Sequence, residues 1–265
     1  MAGFVPYCGA PPVPGALHWK LDPFLIGSLL FLAGASLVYA RLRAVAARDL
    51  FASLFGWLLL SLAFISPLCH LSVALFSARV AQHMTITLIA APLIARGFLP
   101  ADRGTQWRGA RGANVFAWAS TLGFAAIFWL WHSPLLYDET LRNNLVYWLM
   151  HITTFAAALA LWAAVFRSSA PLAFLLLFAT GAQMSLLGAL LTFAAVPMFS
   201  VHEFTTTAWG LSWLQDQQLG GLVMWVPAGL LLTVYSVVAF GAALRLDAPL
   251  AAPAEENAGS LGRVT

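Results

Sequence analysis

Residues 171–195 read PLAFLLLFATGAQMSLLGALLTFAA, a run that contains no charged side chain. A helix needs about 20 mainly apolar residues to cross the hydrocarbon core of a bilayer. Strand-like alternation of apolar and polar residues is absent, which excludes a membrane barrel. The sequence therefore predicts an all-α, polytopic membrane helix bundle with about seven transmembrane helices, at 23–40, 50–69, 79–96, 114–132, 144–166, 171–195 and 219–244.

The overall composition supports a membrane protein. Apolar residues make up 61% of the 265 residues and charged residues only 9%, whereas a soluble domain carries about 25% charged residues. The net charge of +3 comes from scattered Lys and Arg, so there is no basic face for nucleic acid. We predict an extracytoplasmic N-terminal tail (1–22), one seven-helix membrane domain (23–245) and a disordered cytoplasmic tail (246–265) that is rich in Ala, Pro and Glu.

The distribution of Lys and Arg predicts the orientation of the bundle. Counted over alternating sides of the predicted spans, ten of the 13 basic residues lie on one side. Cytoplasmic loops carry the excess of basic residues in membrane proteins. The N-terminus is therefore expected outside and the C-terminus in the cytoplasm, which requires an odd number of spans.

The N-terminal segment is predicted to be a flexible extended tail. It begins MAGFVPYCGAPPVPGALHWK and has no basic region before an apolar stretch, so it does not resemble a cleavable signal peptide. The chain has two cysteines, Cys8 and Cys69. A bridge between them is conceivable in an oxidising compartment, but two cysteines establish no disulfide framework. We interpret Cys8 as part of the flexible tail.

All six histidines fall on or near the predicted extracytoplasmic side. Three of them are in the outer tail, at a helix end or in an outer loop, as is typical of interfacial residues: His18, His70 and His202. His83 and His151 enter the membrane, and His132 closes the fourth span. Polar groups at membrane depth usually face the bundle interior and have a partner there. These three histidines are therefore expected to converge on one outer cavity.

Three interpretations of that convergence are open: a metal site, heme ligation or a hydrogen-bond network. Neutral imidazole is the commonest metal ligand, and thioethers favour Cu(I). Met84 and Met224 lie at matching depth, although methionine is also common core filler. Asp216 either caps the last helix or supports the site by orienting a histidine. The segment Tyr137-Asp138-Glu139 is expected to be a solvated turn and the start of a helix.

Signatures of common enzyme classes are missing. The sequence contains no P-loop, no GxSxG, no HExxH and no CxxCH motif. No pair of acids suited to acid–base chemistry lies inside the predicted bundle. We therefore predict that the protein is not an enzyme.

Four segments resemble the CtaG-type family of cytochrome c oxidase (caa3 oxidase) assembly factors. They are LFSARVAQHMTITLIAAPLIARGFLP (75–100), FWLWHSPLLYDETLRNNLVYWLMHITTF (128–155), GALLTFAAVPMF (188–199) and DQQLGGLVMWVP (216–227). Each short motif is weak alone, but the combination is specific and occurs in the family's order over about residues 71–238. One departure concerns the third span, where many members read HMxQH and this chain has Arg79 and Val80.

The resemblance implies a multi-pass protein of the bacterial inner membrane that helps to mature a copper-containing oxidase. It selects His83, His132 and His151 as the expected ligands of Cu(I), with Met84, Asp216 and Met224 as further candidates. The implied partners are oxidase subunits, membrane lipid and a periplasmic copper carrier, and not nucleic acid. A heme- or quinone-linked redox protein and a metal-free assembly scaffold are the alternatives. Neither the oxidase, the copper stoichiometry nor the oligomeric state follows from the sequence.

Overall fold

The described residues of the computed structural model, 5–98 and 111–247, form an all-helical bundle. Within these residues, seven helical segments are long and apolar enough to cross a membrane. This confirms the predicted number of spans. No strand occurs in either described range. The elements are α1 (Pro23–Leu42), α2 (Ala47–Ile65), α3 (Pro67–Ala74), α4 (Phe76–Met84), a π-helical turn (Thr85–Ala90), α5 (Ala91–Arg96), α6 (Arg111–Trp131), α7 (Pro134–Arg142), α8 (Asn144–Arg167), α9 (Ala170–Thr192), 3-10 turns at Ser200–His202 and Thr207–Trp209, and α10 (Trp213–Asp247).

Some element boundaries differ from the prediction. The predicted span 50–69 is divided at Ser66 into α2 and the short helix α3, because Pro67 cannot continue a helix but suits the first position of a new one. The seventh span begins at Trp213 rather than at 219, so Asp216 lies in its first turn. Helix α10 continues to Asp247, and the remainder of the predicted C-terminal tail lies outside the described residues.

The third span, formed by α4, the π-helical turn and α5, is the most buried of the seven. A π-helical turn leaves backbone carbonyl groups without their usual partners. Neighbouring helices supply donors: the Trp162 indole N–H of α8 donates to the Thr87 carbonyl over 2.8 Å. The Tyr235 hydroxyl of α10 donates to the Leu88 carbonyl over 3.4 Å. The span is thus the central element on which α2, α8 and α10 pack.

Helices α9 and α10 approach each other closely at two glycines. A Cβ atom at Gly221 would lie 2.6 Å from the Thr192 nitrogen and 2.7 Å from the Gly188 carbonyl oxygen. Only glycine leaves room for this crossing, as at small-residue contacts between membrane helices. The crossing fixes the start of α10, which carries Asp216, against the rest of the bundle.

The N-terminal segment is not the flexible tail that the sequence suggested. Cys8 forms a disulfide with Cys69 of α3, and both cysteines are buried. Further contacts hold the segment down: His70 Nε2 donates to the Ala10 carbonyl over 2.8 Å, and the Trp209 indole donates to the Pro12 carbonyl over 3.0 Å. Residues 5–22, α3, α7 and the connection 193–212 together form one end of the bundle, which we call the histidine end.

Candidate functional site

Three histidine rings meet below the histidine end, as the sequence predicted. The centroid of the His83 ring is 5.2 Å from that of His151 and 6.5 Å from that of His132. The rings come from α4, from α8 and from the residue that follows α6. All three residues are less than 8% exposed. We call these three residues the histidine cluster.

Hydrogen bonds to the preceding helical turn fix two of the rings. His132 Nδ1 lies 2.7 Å from the Phe128 carbonyl oxygen, and His151 Nδ1 lies 3.0 Å from the Tyr147 carbonyl oxygen. A carbonyl only accepts, so each Nδ1 carries the proton and each Nε2 keeps a free lone pair. The Nε2 atoms of His83 and His151 are buried and have no hydrogen-bond partner within residues 5–98 and 111–247.

The spacing of the rings fits a shared metal ion after small side-chain movements. With a metal–nitrogen bond of about 2 Å, two imidazole centroids on one ion are at most about 6.4 Å apart. The His83–His151 separation of 5.2 Å lies below this limit, and the His83–His132 separation of 6.5 Å slightly exceeds it. Within the described parts of the chain, no three His, Cys, Asp or Glu side chains already surround a common point. The rings must therefore turn to share a metal ion.

A buried arginine beside the histidine cluster was missed as a site residue. The Arg79 side chain is 1% exposed and lies one turn before His83 on α4. Its Nη2 donates to Thr140 Oγ1 over 2.7 Å and contacts Met150 Sδ at 3.7 Å. Its Cζ lies 5.2 Å from the Tyr137 ring centroid and 5.7 Å from that of Tyr147. In the sequence Arg79 is indistinguishable from a charge at the end of a span.

The site keeps His132 neutral. Burial is the main cause that lowers the pKa of His132 to about 4, and the nearby Arg79 charge lowers it further. The hydrogen bond to the Phe128 carbonyl acts in the opposite direction. His132 is therefore a neutral imidazole near neutral pH, which is the form that ligates a metal ion.

Asp216 is fully buried and caps a neighbouring helix. One carboxylate oxygen accepts from the Phe76 backbone N–H over 2.6 Å, and the other accepts from the Ser77 backbone N–H over 3.1 Å and from the Ser77 hydroxyl. A carboxylate at a helix N-terminus satisfies free N–H groups and complements the helix dipole. Asp216 therefore holds the start of α4, the helix that carries Arg79 and His83.

The candidate methionines are part of the apolar core. Met84 and Met224 lie in the main buried cluster, together with residues of α8 and α9. Apolar packing accounts for the burial of these two methionines, as expected for methionine that fills a core. Met150, next to His151, is fully buried and faces the Arg79 guanidinium through its sulfur.

The other three histidines lie outside the cluster, and two of them are buried by the protein. His18 is exposed, whereas His70 and His202 are 4% and 0% exposed. His202 Nε2 and the Tyr137 hydroxyl share a hydrogen bond of 2.8 Å. Tyr137 and Asp138 are buried in α7, so this segment is not the solvated turn that we expected. A nine-residue helix is too short to stand out in a hydropathy profile.

The disulfide lies close to the histidine cluster. Cys8 Sγ lies 3.3 Å from the Tyr147 hydroxyl, and the Tyr147 ring centroid lies 4.3 Å from that of His151. The N-terminal segment therefore contacts the wall of the histidine cluster through one tyrosine.

Comparison with known proteins identifies the family of the chain. No curated protein and no solved structure matches it. The family model of the cytochrome c oxidase caa3 assembly factor (Caa3_CtaG) matches residues 29–245. This range spans the helices that carry the histidine cluster, Arg79 and Asp216, and it is well over half of the sequence. The chain therefore belongs to the Caa3_CtaG family of cytochrome c oxidase assembly factors.

Proposed function

We propose that this assembly factor binds Cu(I) reversibly at the histidine cluster and delivers it to a subunit of a cytochrome c oxidase. The histidine end would face the extracytoplasmic side of a bacterial inner membrane, where a periplasmic copper carrier would load it. The role is that of a carrier and not of a catalyst. Membrane lipid and oxidase subunits are its expected partners.

The observation that carries the proposal is the pair of buried Nε2 atoms without partners on His83 and His151. A buried polar atom without a hydrogen bond is costly, so such atoms are exceptions that need an explanation. Here they lie in a cluster with a third imidazole, His132, whose tautomer also leaves Nε2 as the lone-pair nitrogen. A soft monovalent cation with two or three nitrogen ligands suits this donor set.

Weak, reversible binding suits delivery, because a carrier must release its cargo. The fixed positive charge of Arg79 beside the cluster opposes a second cation. The need for the rings to turn before they share a metal ion also lowers the affinity. Asp216 acts indirectly in this proposal, through the position of α4, while Met84 and Met224 remain candidate soft ligands.

The test removes the lone-pair nitrogens without removing the hydrogen bonds that hold the fold. In a His132→Asn, His151→Asn double variant, each amide N–H can replace the Nδ1–H that bonds to the preceding turn. We expect the purified variant to lose bound Cu(I) under anaerobic conditions, and cells that carry it to contain less copper-loaded oxidase. His202→Gln, whose amide can still hydrogen-bond to Tyr137 outside the cluster, is the matched control.

Two outcomes would reject the copper proposal. A visible spectrum with a Soret band that disappears in the double variant would identify the cluster as a heme site. Normal oxidase assembly by the double variant, with undiminished co-purification of an oxidase subunit, would identify a metal-free scaffold.

A further inference from the structure

The most unusual group in the bundle is the Arg79 guanidinium. It is 1% exposed within a membrane-spanning helix. Arginine carries five N–H donors and does not lose its proton in proteins. Nη2 has two acceptors, Thr140 Oγ1 and Met150 Sδ. The Nε and Nη1 atoms are buried and have no acceptor among the residues that the structure describes.

No carboxylate neutralises this charge among the residues that the structure describes. Each carboxylate of the same region bonds to other groups through at least one oxygen, and Asp138 Oδ1 is buried without a hydrogen-bond partner among the described residues. Asp216 caps the N-terminus of α4, and Asp138 accepts from Ser200 and pairs with Arg142 at 3.7 Å. An uncompensated charge in a buried site is strongly destabilising.

The contacts of Arg79 leave the donors on two of its nitrogen atoms unused among the described residues. The rings of Tyr137 and Tyr147 lie within cation–π distance of the guanidinium, an interaction that engages its face. The N–H bonds point outward in the plane, so Nε and Nη1 can still donate to an acceptor. Polar donors directed into a desolvated space bind anions in many proteins. Because the guanidinium is 1% exposed and two tyrosine rings pack against it, we expect a small ion rather than a bulky one.

We propose that Arg79 holds a small monovalent anion of the size of chloride beside the histidine cluster. The anion accepts hydrogen bonds from Nε and Nη1 and neutralises the guanidinium. The inference does not depend on the copper proposal, because the unpaired charge is present without a metal. It adds a second ion of opposite sign to the same region.

The experiment uses the full-length, detergent-purified chain after treatment with a metal chelator. Thermal unfolding is followed by tryptophan fluorescence while chloride replaces gluconate at constant ionic strength. A ligand that binds only the folded state raises the unfolding temperature with its concentration. We expect a rise of roughly 3 °C at saturating chloride, and the same rise with bromide.

Two variants assign the effect to Arg79. Arg79→Met preserves the length of the side chain and removes the charge, and we expect it to fold and to lose the chloride dependence. Arg142→Gln removes an exposed arginine near α7 and should keep the wild-type dependence. Equal unfolding temperatures of the wild type in chloride and gluconate would overturn the proposal, as would an undiminished chloride effect in Arg79→Met.

A measurement on the wild type alone covers the case in which Arg79→Met does not fold. A bound chloride ion broadens the chloride NMR signal, and bromide that competes for the same site restores the narrow line. Arg79→Lys then assigns the site, because it keeps the charge but not the planar set of donors. Absence of competable broadening in the wild type, or unchanged broadening in Arg79→Lys, would refute an anion site at Arg79.

Discussion

Removal of the Arg79 charge should strengthen Cu(I) binding at the histidine cluster. The Arg79 Cζ is 5.7 Å from the Tyr147 ring centroid, which is 4.3 Å from the His151 centroid. The guanidinium therefore lies within about 10 Å of an expected ligand, where two unit charges repel by about 1.7 kcal/mol at an effective dielectric constant of about 20. This repulsion corresponds to a roughly 15-fold weaker affinity.

The assay is anaerobic competition for Cu(I) between the purified protein and a chromogenic chelator, in buffer that contains gluconate and no chloride. We expect Arg79→Gln to bind Cu(I) about 15-fold more tightly than the wild type. Arg142→Gln is the control for loss of an exposed positive charge and should change the affinity less than twofold, because solvent screens its side chain. Chloride should reduce the difference between wild type and Arg79→Gln, since a bound anion already neutralises Arg79.

An unchanged or weaker Cu(I) affinity in Arg79→Gln would refute the reasoning. It would mean that the metal binds outside the reach of this charge, or that Arg79 supports the histidines structurally. Cu(I) binding by the His132→Asn, His151→Asn variant separates these two cases, since only a metal site elsewhere survives that change.

Three further predictions concern stability. Replacement of both Cys8 and Cys69 by serine, which opens a bridge with a sequence separation of 61, should lower the free energy of unfolding by about 4 kcal/mol; an unchanged denaturant midpoint would contradict this. Gly221→Ala should cost about 2 kcal/mol by overpacking the helix crossing, whereas Gly181→Ala, whose added Cβ would lie 3.6 Å from its nearest neighbour, should be neutral in the same thermal assay. Burial and then the Arg79 charge lower the pKa of His202 from 6.5 to about 3, so the unfolded state binds the extra proton and stability falls as the pH drops below 6.5. The loss should reach about 2 kcal/mol at pH 5, and a pH titration of His202→Gln that keeps the wild-type slope would exclude this histidine as the cause.

The bundle and the histidine cluster could be predicted from the sequence because both depend on where apolar residues and histidines occur along the chain. Seven apolar runs specify seven spans, and residues at equal depth on successive helices are candidates to meet. Hydropathy does not say which face of a helix is turned inward. For His83 and His151 the cost of an imidazole in lipid supplied that information.

The remaining features depend on contacts between distant parts of the chain. Arg79 near the start of a span has the pattern of an interfacial charge, and its guanidinium is buried by contacts with α7 and α8. Asp216 belongs to the first turn of α10, yet it caps α4, which lies far away in the sequence. The disulfide required the N-terminal segment to lie on α3, a packing arrangement that has no local sequence signal.

The π-helical turn at Thr85–Ala90 gives the third span two independently oriented halves. Such a turn accommodates one residue more than an α-helical turn of the same height. It is equivalent to the insertion of one residue into an α-helix, and contacts with neighbouring helices hold it. Deletion of a single residue from this turn would rotate α4 by about 100° relative to α5. His83 would then point away from His132 and His151, while α5 still packed normally. The extra residue of the π-helical turn thus sets the angular position of His83. Trp162 and Tyr235 donate hydrogen bonds to two carbonyl groups of this turn.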